Sequence, residues 1–442
     1  MRNRYLDLLR AAAIVRVIVY HLFGWPWLSI ALPAMGVMFA LAGSLTAASL
    51  ERRSANRVVT SRLRRLLPPL WLLGLLAVPV MIHLGWSQEE DGEHPFTPWK
   101  LAFWILPLGD PPGSETGIDS WEPLWYIRAY VWFVLLSPVM YLVYKRMGRF
   151  GWLLAGAPIL AIAVLDKTGF ELRETADVVM WDFVTYGACW IAGFAHRDGT
   201  LARMRPALVF GAAFAMGAAA LYWQHGHQGE DAWDLNDVSE SQALWSLAFV
   251  LLALRWQPRM DWLSRVPYGE RAVTLLNARA VTIYLWHNLA IAAIWPVLTY
   301  LALDDLGHFE KPVTLATTLI LTAVAVLAFG WAEDLAAQRR PRLWPDTSPP
   351  STRPSSSPDA TPPGATSATT SSADAGKPPP EPIGPVPPGW PELTRDGSPT
   401  GLAPATERID LPVAGRPLNG GTRPPTEPET PVPVWWAPND SA

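Results

Sequence analysis

Long apolar segments recur through the first three quarters of the chain and constrain its fold more than any other feature. A helix of about twenty apolar residues spans the hydrocarbon core of a membrane. Ten such segments are predicted, at residues 6–25, 29–50, 66–86, 123–144, 151–167, 177–195, 206–223, 240–257, 278–301 and 312–332. The fifth is short and the eighth is interrupted. The sequence therefore predicts an all-α, polytopic membrane bundle of about ten transmembrane helices within a domain over residues 1–335.

The remainder of the chain has a different composition. Residues 341–442 are rich in Pro, Ser, Thr, Gly and Ala and have no long apolar run. Such a segment buries too little apolar surface to offset the entropy of folding, so we expect a disordered tail. The lone cysteine, Cys189, excludes an internal disulfide and is expected to be an inert core residue.

Charge alternates between successive loops. Basic residues cluster after every second segment, within residues 52–65, 145–149, 197–205, 255–271 and 339–342, whereas the alternate loops are acidic at 89–93, 230–237 and 304–305. The positive-inside rule then predicts an even number of spans in the cytoplasmic (plasma) membrane, with both termini and the tail cytoplasmic. Because lipid headgroups account for arginines beside membrane segments, a nucleic-acid partner is not expected.

The first apolar segment carries ionisable side chains, which are costly in a membrane and mark candidate functional positions. Arg10 and His21 are eleven residues apart, so about 100° per residue brings them to within about 20° of one helix face and about 16 Å apart. Asp7 lies near the same face, and these three are the candidate catalytic residues. His21 would act as a general base, with a histidine hydrogen-bonded inside the bundle as the alternative.

The sequence leaves the partners of two arginines in this segment undecided. Arg10 suits a phosphate or carboxylate ligand, but a salt bridge with Asp7 is an equal alternative because the two are three residues apart. Arg16 lies off the common face, and we expect it to pair with a carboxylate on a neighbouring helix.

Further candidates lie at other segment ends. Arg62 and Arg65 precede the third segment and could hold a phosphorylated ligand at the cytoplasmic mouth, although topology and lipid contact also explain them. Glu122, Trp125, Tyr126 and Arg128 begin the fourth segment and are acceptor-side candidates, with an interfacial aromatic anchor as the alternative.

His287 in the ninth segment is a further acceptor-side candidate, because a polar group there needs a partner. No sequence motif for a metal or for a phosphate-cradling glycine loop is present, so no metal cofactor is expected.

These motifs together resemble the membrane acyltransferase-3 family of ten-helix bacterial integral membrane acyltransferases. The matching pieces, in order along roughly residues 1–335, are LDLLRAAA at 6–13, the Arg10–His21 spacing, RLRRLLPPLW at 62–71, LWYIRAY at 124–130 and IYLWHN at 283–288. The resemblance implies transfer of an acyl group, often acetyl, from cytoplasmic acyl-CoA to a hydroxyl of a cell-envelope carbohydrate or similar acceptor. It implies that the enzyme is an acyltransferase for groups other than aminoacyl groups.

The resemblance also implies roles for individual residues, and this chain departs from the family pattern at two places. It implies that His21 is the catalytic histidine, Arg10 its partner, and Arg62 and Arg65 the paired arginines of the cytoplasmic side. Many relatives have Ser-Gly-(Phe/Tyr) where this chain has Ala-Gly-Ser at 42–44, and Trp-Ser-Leu-x-x-Glu where it has WEPLWYIRAY at 121–130. Acceptor identity is therefore the weakest inference.

Two other functional classes compete with this interpretation. A transporter or flippase for a lipid-linked sugar or small metabolite could use the same polar helix face without chemistry, although the absence of a convincing internal repeat favours the enzyme. A non-catalytic scaffold would explain the Pro-rich tail but would leave Arg10 and His21 without a role.

Overall fold

The computed structural model describes residues 3–88, 94–228, 233–303 and 305–342. The chain divides into two units, Met1–Ser355 and Ser356–Ala442, and every described residue lies in the first. All regular secondary structure in these ranges is helical, which confirms the predicted all-α bundle. The predicted tail lies outside the described residues apart from Pro341 and Arg342, as do the acidic loop residues 89–93, 230–231 and 304.

Twelve α-helices of at least seven residues form most of the described part of the bundle. They are α1 (Arg4–Phe23), α2 (Ala34–Leu50), α3 (Ala55–His83), α4 (Trp125–Arg146), α5 (Gly156–Thr168), α6 (Glu174–Arg197), α7 (Pro206–Gly226), α8 (Ser239–Arg255), α9 (Gly269–Ala278), α10 (Ala280–Ala292), α11 (Ile294–Tyr300) and α12 (Glu310–Ala336). Short helical turns lie between them at Trp27–Ala31, Trp86–Gln88, Pro98–Leu101, Ala102–Ile105, Glu115–Gly117, Ile118–Trp121, Glu122–Leu124, Gly148–Ala155, Thr200–Arg203, Leu263–Arg265 and Gly307–Phe309.

Seven of these helical stretches are long and apolar enough to cross a membrane, or eight if the bent pair α10 and α11 forms one span. The pair bends by 51°. The predicted segments 6–25 and 240–257 do form helices, α1 and α8. However, α1 carries four charged residues (Arg4, Asp7, Arg10 and Arg16) and α8 has only 17 residues, so neither is as long and apolar as the other spans. The structure thus supports a membrane helix bundle with fewer unambiguous spans than the ten predicted.

Local sequence fixes where α1 begins and ends. The Asn3 side chain accepts hydrogen bonds from the backbone N–H groups of Tyr5 and Leu6, at 3.1 and 3.4 Å, and so caps the helix. Gly24 ends α1 with a φ of 61°, a left-handed conformation that glycine adopts without strain. These two caps place Arg10 and His21 on one uninterrupted helix.

Helix α3 begins well before the predicted third segment. It starts at Ala55 rather than near residue 66, so Arg62 and Arg65 lie inside the helix rather than in a loop before it. Pro68, Pro69 and Pro79 lie within α3. Proline is tolerated in membrane helices because neighbouring groups satisfy the freed backbone carbonyls.

The arginines that flank the helices gather at one end of the bundle, which we call the basic end. Arg4 at the start of α1 pairs with Glu270 of α9 at 2.5 Å, and Arg197 at the end of α6 pairs with Glu51 after α2 at 2.7 Å. Arg279, just before α10, bonds to Asp334 of α12 at 2.7 Å. The opposite end, where α1 finishes, is the distal end.

Candidate active site

His21 lies in the last turn of α1 and packs against His287 of α10. The two ring centroids are 5.2 Å apart, and the rings meet edge to face at 70°. His287 is only 1% exposed, whereas His21 is exposed. His21 thus combines an exposed position at the end of α1 with a contact to a buried imidazole.

A run of aromatic rings connects this histidine pair with Arg10. The Tyr284 and His287 rings lie 5.7 Å apart on α10, and the Tyr284 ring lies 5.1 Å from the Tyr126 ring of α4. Tyr126 is close enough to Arg10 to interact with its charge. Arg10 therefore lies near α4 and His21 against α10, and the Tyr126–Tyr284 contact joins those two helices. We call these five residues the histidine–tyrosine cluster.

The structure also shows whether Arg10 forms a salt bridge with Asp7. Within the described residues, Arg10 forms neither a hydrogen bond nor an ion pair, so the salt bridge with Asp7 that the sequence allowed is not formed there. The Asp7 backbone carbonyl accepts a hydrogen bond from the Asn277 side chain at 2.7 Å, which ties the start of α1 to α9. Arg10 thus keeps its donors for other groups.

Arg16 is a buried cation with a different environment from the one predicted. It is 8% exposed, its Nε donates to the Leu28 carbonyl at 3.1 Å, and its guanidinium lies 4.4 Å from the centre of the Tyr20 ring. The Tyr20 hydroxyl in turn donates to Asp234 at 2.6 Å. Among the described residues, Tyr20 thus links Arg16 to a carboxylate, Asp234, which lies on the loop before α8 rather than on a helix as expected.

Arg128 belongs to an ion-pair network within the protein. It is 2% exposed, and its Nε and Nη2 both donate to one oxygen of Asp182 on α6, at 3.1 and 2.7 Å. Its Nη1 contacts Asp110, which precedes α4. Buried charges are expensive unless paired, so this network satisfies a cation that the fold encloses. Arg128 was predicted to be an acceptor-side residue, and its geometry fits a structural role in joining α4 to α6.

The other acceptor-side candidates separate into two groups. Trp125 stacks on Tyr186 of α6 at 6.0 Å and meets Tyr126 edge to face at 6.3 Å, so it adjoins the histidine–tyrosine cluster. Glu122 is exposed and lies among Glu115, Asp119 and His94 in the segment before α4. Trp125 and Tyr126 thus border the candidate site, whereas Glu122 belongs to a neighbouring acidic surface.

A second feature lies at the basic end, where a half-open cavity of about 320 Å³ forms between the start of α3 and the end of α12. Its walls include Arg57, Arg64 and Arg65 together with Ala337 and Gln338 after α12. Arg62 is not part of this wall, because its Nη2 reaches the Ser49 hydroxyl of α2 at 3.4 Å. The predicted arginine pair is therefore divided, and Arg65 has Arg57 and Arg64 as its companions.

Two sets of contacts were not predicted from the sequence, one within the site and one elsewhere in the bundle. Tyr284 links the α10 histidine to α4, and its signal was its position one turn before His287 in IYLWHN. Ser44, in the Ala-Gly-Ser stretch, bonds to His196 of α6 at 2.9 Å, and the other nitrogen of His196 bonds to Gln257 after α8 at 2.7 Å. No sequence spacing connects Ser44 with residues so far along the chain.

The described ranges contain no group of three or more His, Cys, Asp or Glu residues that could hold a metal ion. Cys189 is buried and unpaired, in agreement with its predicted role in the core.

The sequence of the helix bundle matches one known protein family. Residues 3–332 match the model of the acyltransferase-3 family, which is described as an acyltransferase domain. No curated protein and no solved structure gives a significant match to the chain. The matched region contains all of the helices described above except the last residues of α12. The chain therefore belongs to the acyltransferase-3 family and is a membrane acyltransferase.

Proposed function

We propose that the protein transfers an acyl group, acetyl in the simplest case, from acyl-CoA to a hydroxyl of a cell-envelope carbohydrate or similar acceptor. We place it in the cytoplasmic membrane with both termini cytoplasmic, because basic residues accumulate at one end of the bundle. The observation that carries the proposal is the contact of His21, an exposed residue of α1, with the buried His287 ring, on the helix that also carries Arg10. An exposed histidine in a largely apolar bundle is suited to moving a proton.

The cavity at the basic end supports acyl-CoA as the donor. Acyl-CoA carries phosphate groups at one end and its thioester at the end of a long arm. Arg57, Arg64 and Arg65 supply fixed positive charge around a cavity of about 320 Å³, and guanidinium groups bind phosphates in a bidentate manner. In this proposal the phosphates bind there, and the arm carries the thioester into the bundle towards the histidine–tyrosine cluster.

The chemistry at His21 is a direct transfer. The neutral imidazole accepts the proton of the acceptor hydroxyl as its oxygen attacks the carbonyl carbon of the thioester. The carbon–sulfur bond then breaks, the thiolate takes the proton from His21, and an ester and free CoA leave. This sequence needs no covalent intermediate on the enzyme and returns His21 to its neutral form.

Arg10 is the residue that we expect to stabilise negative charge during this transfer. Its cation lies in the apolar part of the bundle, where electrostatic interactions are stronger than in water. Since no described residue neutralises it through an ion pair, its donors remain available for the substrate. We infer that Trp125 and Tyr126 form the acceptor side, because aromatic faces line most small-molecule sites, Tyr126 belongs to the cluster and Trp125 adjoins it.

The test is release of free CoA from acetyl-CoA by purified protein in nanodiscs, with crude envelope glycans as acceptor. Acceptor-stimulated release is expected from the wild type, and His21→Ala should lower the rate by about 10²–10⁴-fold, the usual contribution of a general base. His83→Ala is the matched control, because His83 is an exposed histidine at the end of α3. Retained turnover in folded His21→Ala protein would remove His21 from the mechanism.

One observation favours a second candidate, a transporter or flippase for a lipid-linked sugar. The 51° bend between α10 and α11 is a broken helix, and broken helices form the substrate sites of many transporters. The same assay separates the two. Protein that neither binds acetyl-CoA nor releases CoA would favour transport, whereas binding without release would indicate that the acceptor or acyl chain is wrong.

A further inference from the structure

A hydrogen bond within α10 fixes which nitrogen of the neutral His287 ring carries the proton. Its Nδ1 lies 2.6 Å from the Tyr284 backbone carbonyl, one turn earlier on α10. A carbonyl oxygen only accepts hydrogen bonds, so in the neutral ring Nδ1 must carry the proton. The other nitrogen, Nε2, then presents a lone pair and acts as an acceptor.

That acceptor lacks a partner. The Nε2 atom of His287 is buried and forms no hydrogen bond within the described residues, although the residue is only 1% exposed. Buried polar atoms in proteins are nearly always hydrogen-bonded, so an orphaned acceptor points to a group that approaches it. The nearest titratable ring in the contacts of His287 is His21, at 5.2 Å between centroids.

We propose that His287 is the positioning residue for His21, and this rests on the proposed function of His21 as general base. In this proposal the His21 ring, whose centroid lies 5.2 Å from that of His287, turns its N–H towards the unbonded His287 Nε2 when the acceptor binds, so that the second His21 nitrogen keeps its lone pair towards the acceptor hydroxyl. When His21 takes the hydroxyl proton, the same hydrogen bond becomes charge-assisted and stabilises the imidazolium. His287 thereby orients the base and supports its charged form without touching substrate.

There is a physical reason why an imidazole, rather than a carboxylate, would orient the catalytic histidine in a membrane bundle. Soluble hydrolases commonly orient their histidine with a buried carboxylate. A carboxylate within an apolar helix bundle is costly unless it is paired. A neutral histidine accepts the same hydrogen bond without introducing a permanent charge, and the apolar residues beside His287 on α10 include Leu285 and Ala290.

Two substitutions of similar size separate positioning from packing. In His287→Gln, the side-chain amide oxygen can occupy roughly the place of Nε2 and accept from His21. The shorter His287→Asn leaves that place empty. We expect His287→Asn to lower kcat by about 10–100-fold, as is common for residues that orient a reacting group, with KM for acetyl-CoA changed less than about twofold. We expect His287→Gln to recover most of that loss.

A second readout does not depend on turnover. Protein labelled with ¹⁵N at histidine reports the protonated nitrogen of each imidazole by NMR in nanodiscs, and His21→Ala and His287→Gln assign the two signals among the 8 histidines. The wild type should show His287 protonated at Nδ1 and His21 in a single tautomer. His287→Asn should show a mixture of His21 tautomers.

The outcomes distinguish this inference from the proposed function. If the wild type lacks acyl transfer but shows the expected tautomers, the proposed activity fails while the hydrogen bond between the rings stands. If His287→Asn keeps the wild-type kcat, or if His21 keeps a single tautomer in that variant, the positioning role is wrong. Equal losses in folded His287→Asn and His287→Gln would also refute it, because packing and not the acceptor would then account for the effect.

Discussion

Gly43 of α2 and Gly193 of α6 let two helix backbones approach so closely that neither position has room for a methyl group. A Cβ at Gly43 would lie 2.3 Å from the Trp190 carbonyl oxygen, and a Cβ at Gly193 would lie 2.2 Å from the Ala40 carbonyl oxygen. Because the obstructing atoms are backbone, no side-chain rotation relieves the overlap. Small residues commonly permit such close packing between membrane helices.

Gly43→Ala should therefore destabilise the bundle measurably. Real Cβ contacts are almost never shorter than 3.0 Å, so α2 and α6 must separate by at least about 0.7 Å. Overpacking of this kind costs about 1–3 kcal/mol, while the change from glycine to alanine inside a helix returns up to about 1 kcal/mol. Gly211→Ala on α7 is the matched control, since a Cβ there meets nothing within 4 Å. We expect Gly43→Ala to be about 1–3 kcal/mol less stable than Gly211→Ala, because the propensity gain is common to both.

The same separation should also affect the candidate site. Phe39 on α2 contacts Tyr186 on α6 and Tyr126 on α4, with centroid distances of 4.9 and 5.0 Å, so the glycine contact sets the position of rings beside Trp125. The assay is reversible unfolding of the purified protein in mixed micelles by added SDS, followed by acceptor-stimulated CoA release on the folded fraction. Equal stability of the two alanine variants, to within about 0.5 kcal/mol, would refute the close-contact reasoning.

Three further predictions concern the Arg128 ion pair, the basic cavity and the tail. Arg128→Met should cost about 3–5 kcal/mol of stability in the same unfolding assay, because it leaves Asp182, 13% exposed, as an uncompensated buried charge. The double variant Arg128→Met with Asp182→Asn should recover part of this loss. If it recovers none, the pairing of Arg128 with Asp182 is contradicted. Arg65→Gln should weaken acetyl-CoA binding about tenfold in calorimetric titrations at low salt, whereas Arg52→Gln, which removes a charge from the same end outside the cavity, should have little effect. Deletion of residues 343–442 should leave acceptor-dependent CoA release intact, and its loss would instead favour a functional role for the tail.

Sequence patterns predicted the helical framework well because its determinants are local. Apolar length, flanking charge and the caps at Asn3 and Gly24 are readable along the chain, and each acts within a few residues. The shared face of Arg10 and His21 follows from helix periodicity alone, and in the structure Arg10 lies near Tyr126 of α4 while His21 packs on His287 of α10. The start of α3 was misplaced because its first turns are basic and amphipathic, and helix formation there does not depend on apolar length.

Which polar side chains pair with one another could not be predicted in the same way, because the pairs join residues far apart in the sequence. Arg128 lies 54 residues from Asp182, and the sequence offered no reason to prefer that carboxylate over a substrate. Likewise, Arg62 and Arg65 are three residues apart on α3, yet helix geometry turns one towards Ser49 and the other into the basic cavity.

The sequence by itself thus determined an all-α membrane bundle, its charge asymmetry, and which face of α1 carries Arg10 and His21. Only the tertiary structure decided that His287 is the neighbour of His21 and that Arg128 is committed to Asp182 and Asp110. It also decided which arginines share the cavity at the basic end. The physical reason is that helix formation and membrane crossing depend on short-range properties of the chain, whereas the pairing of polar groups depends on how helices from distant segments pack together.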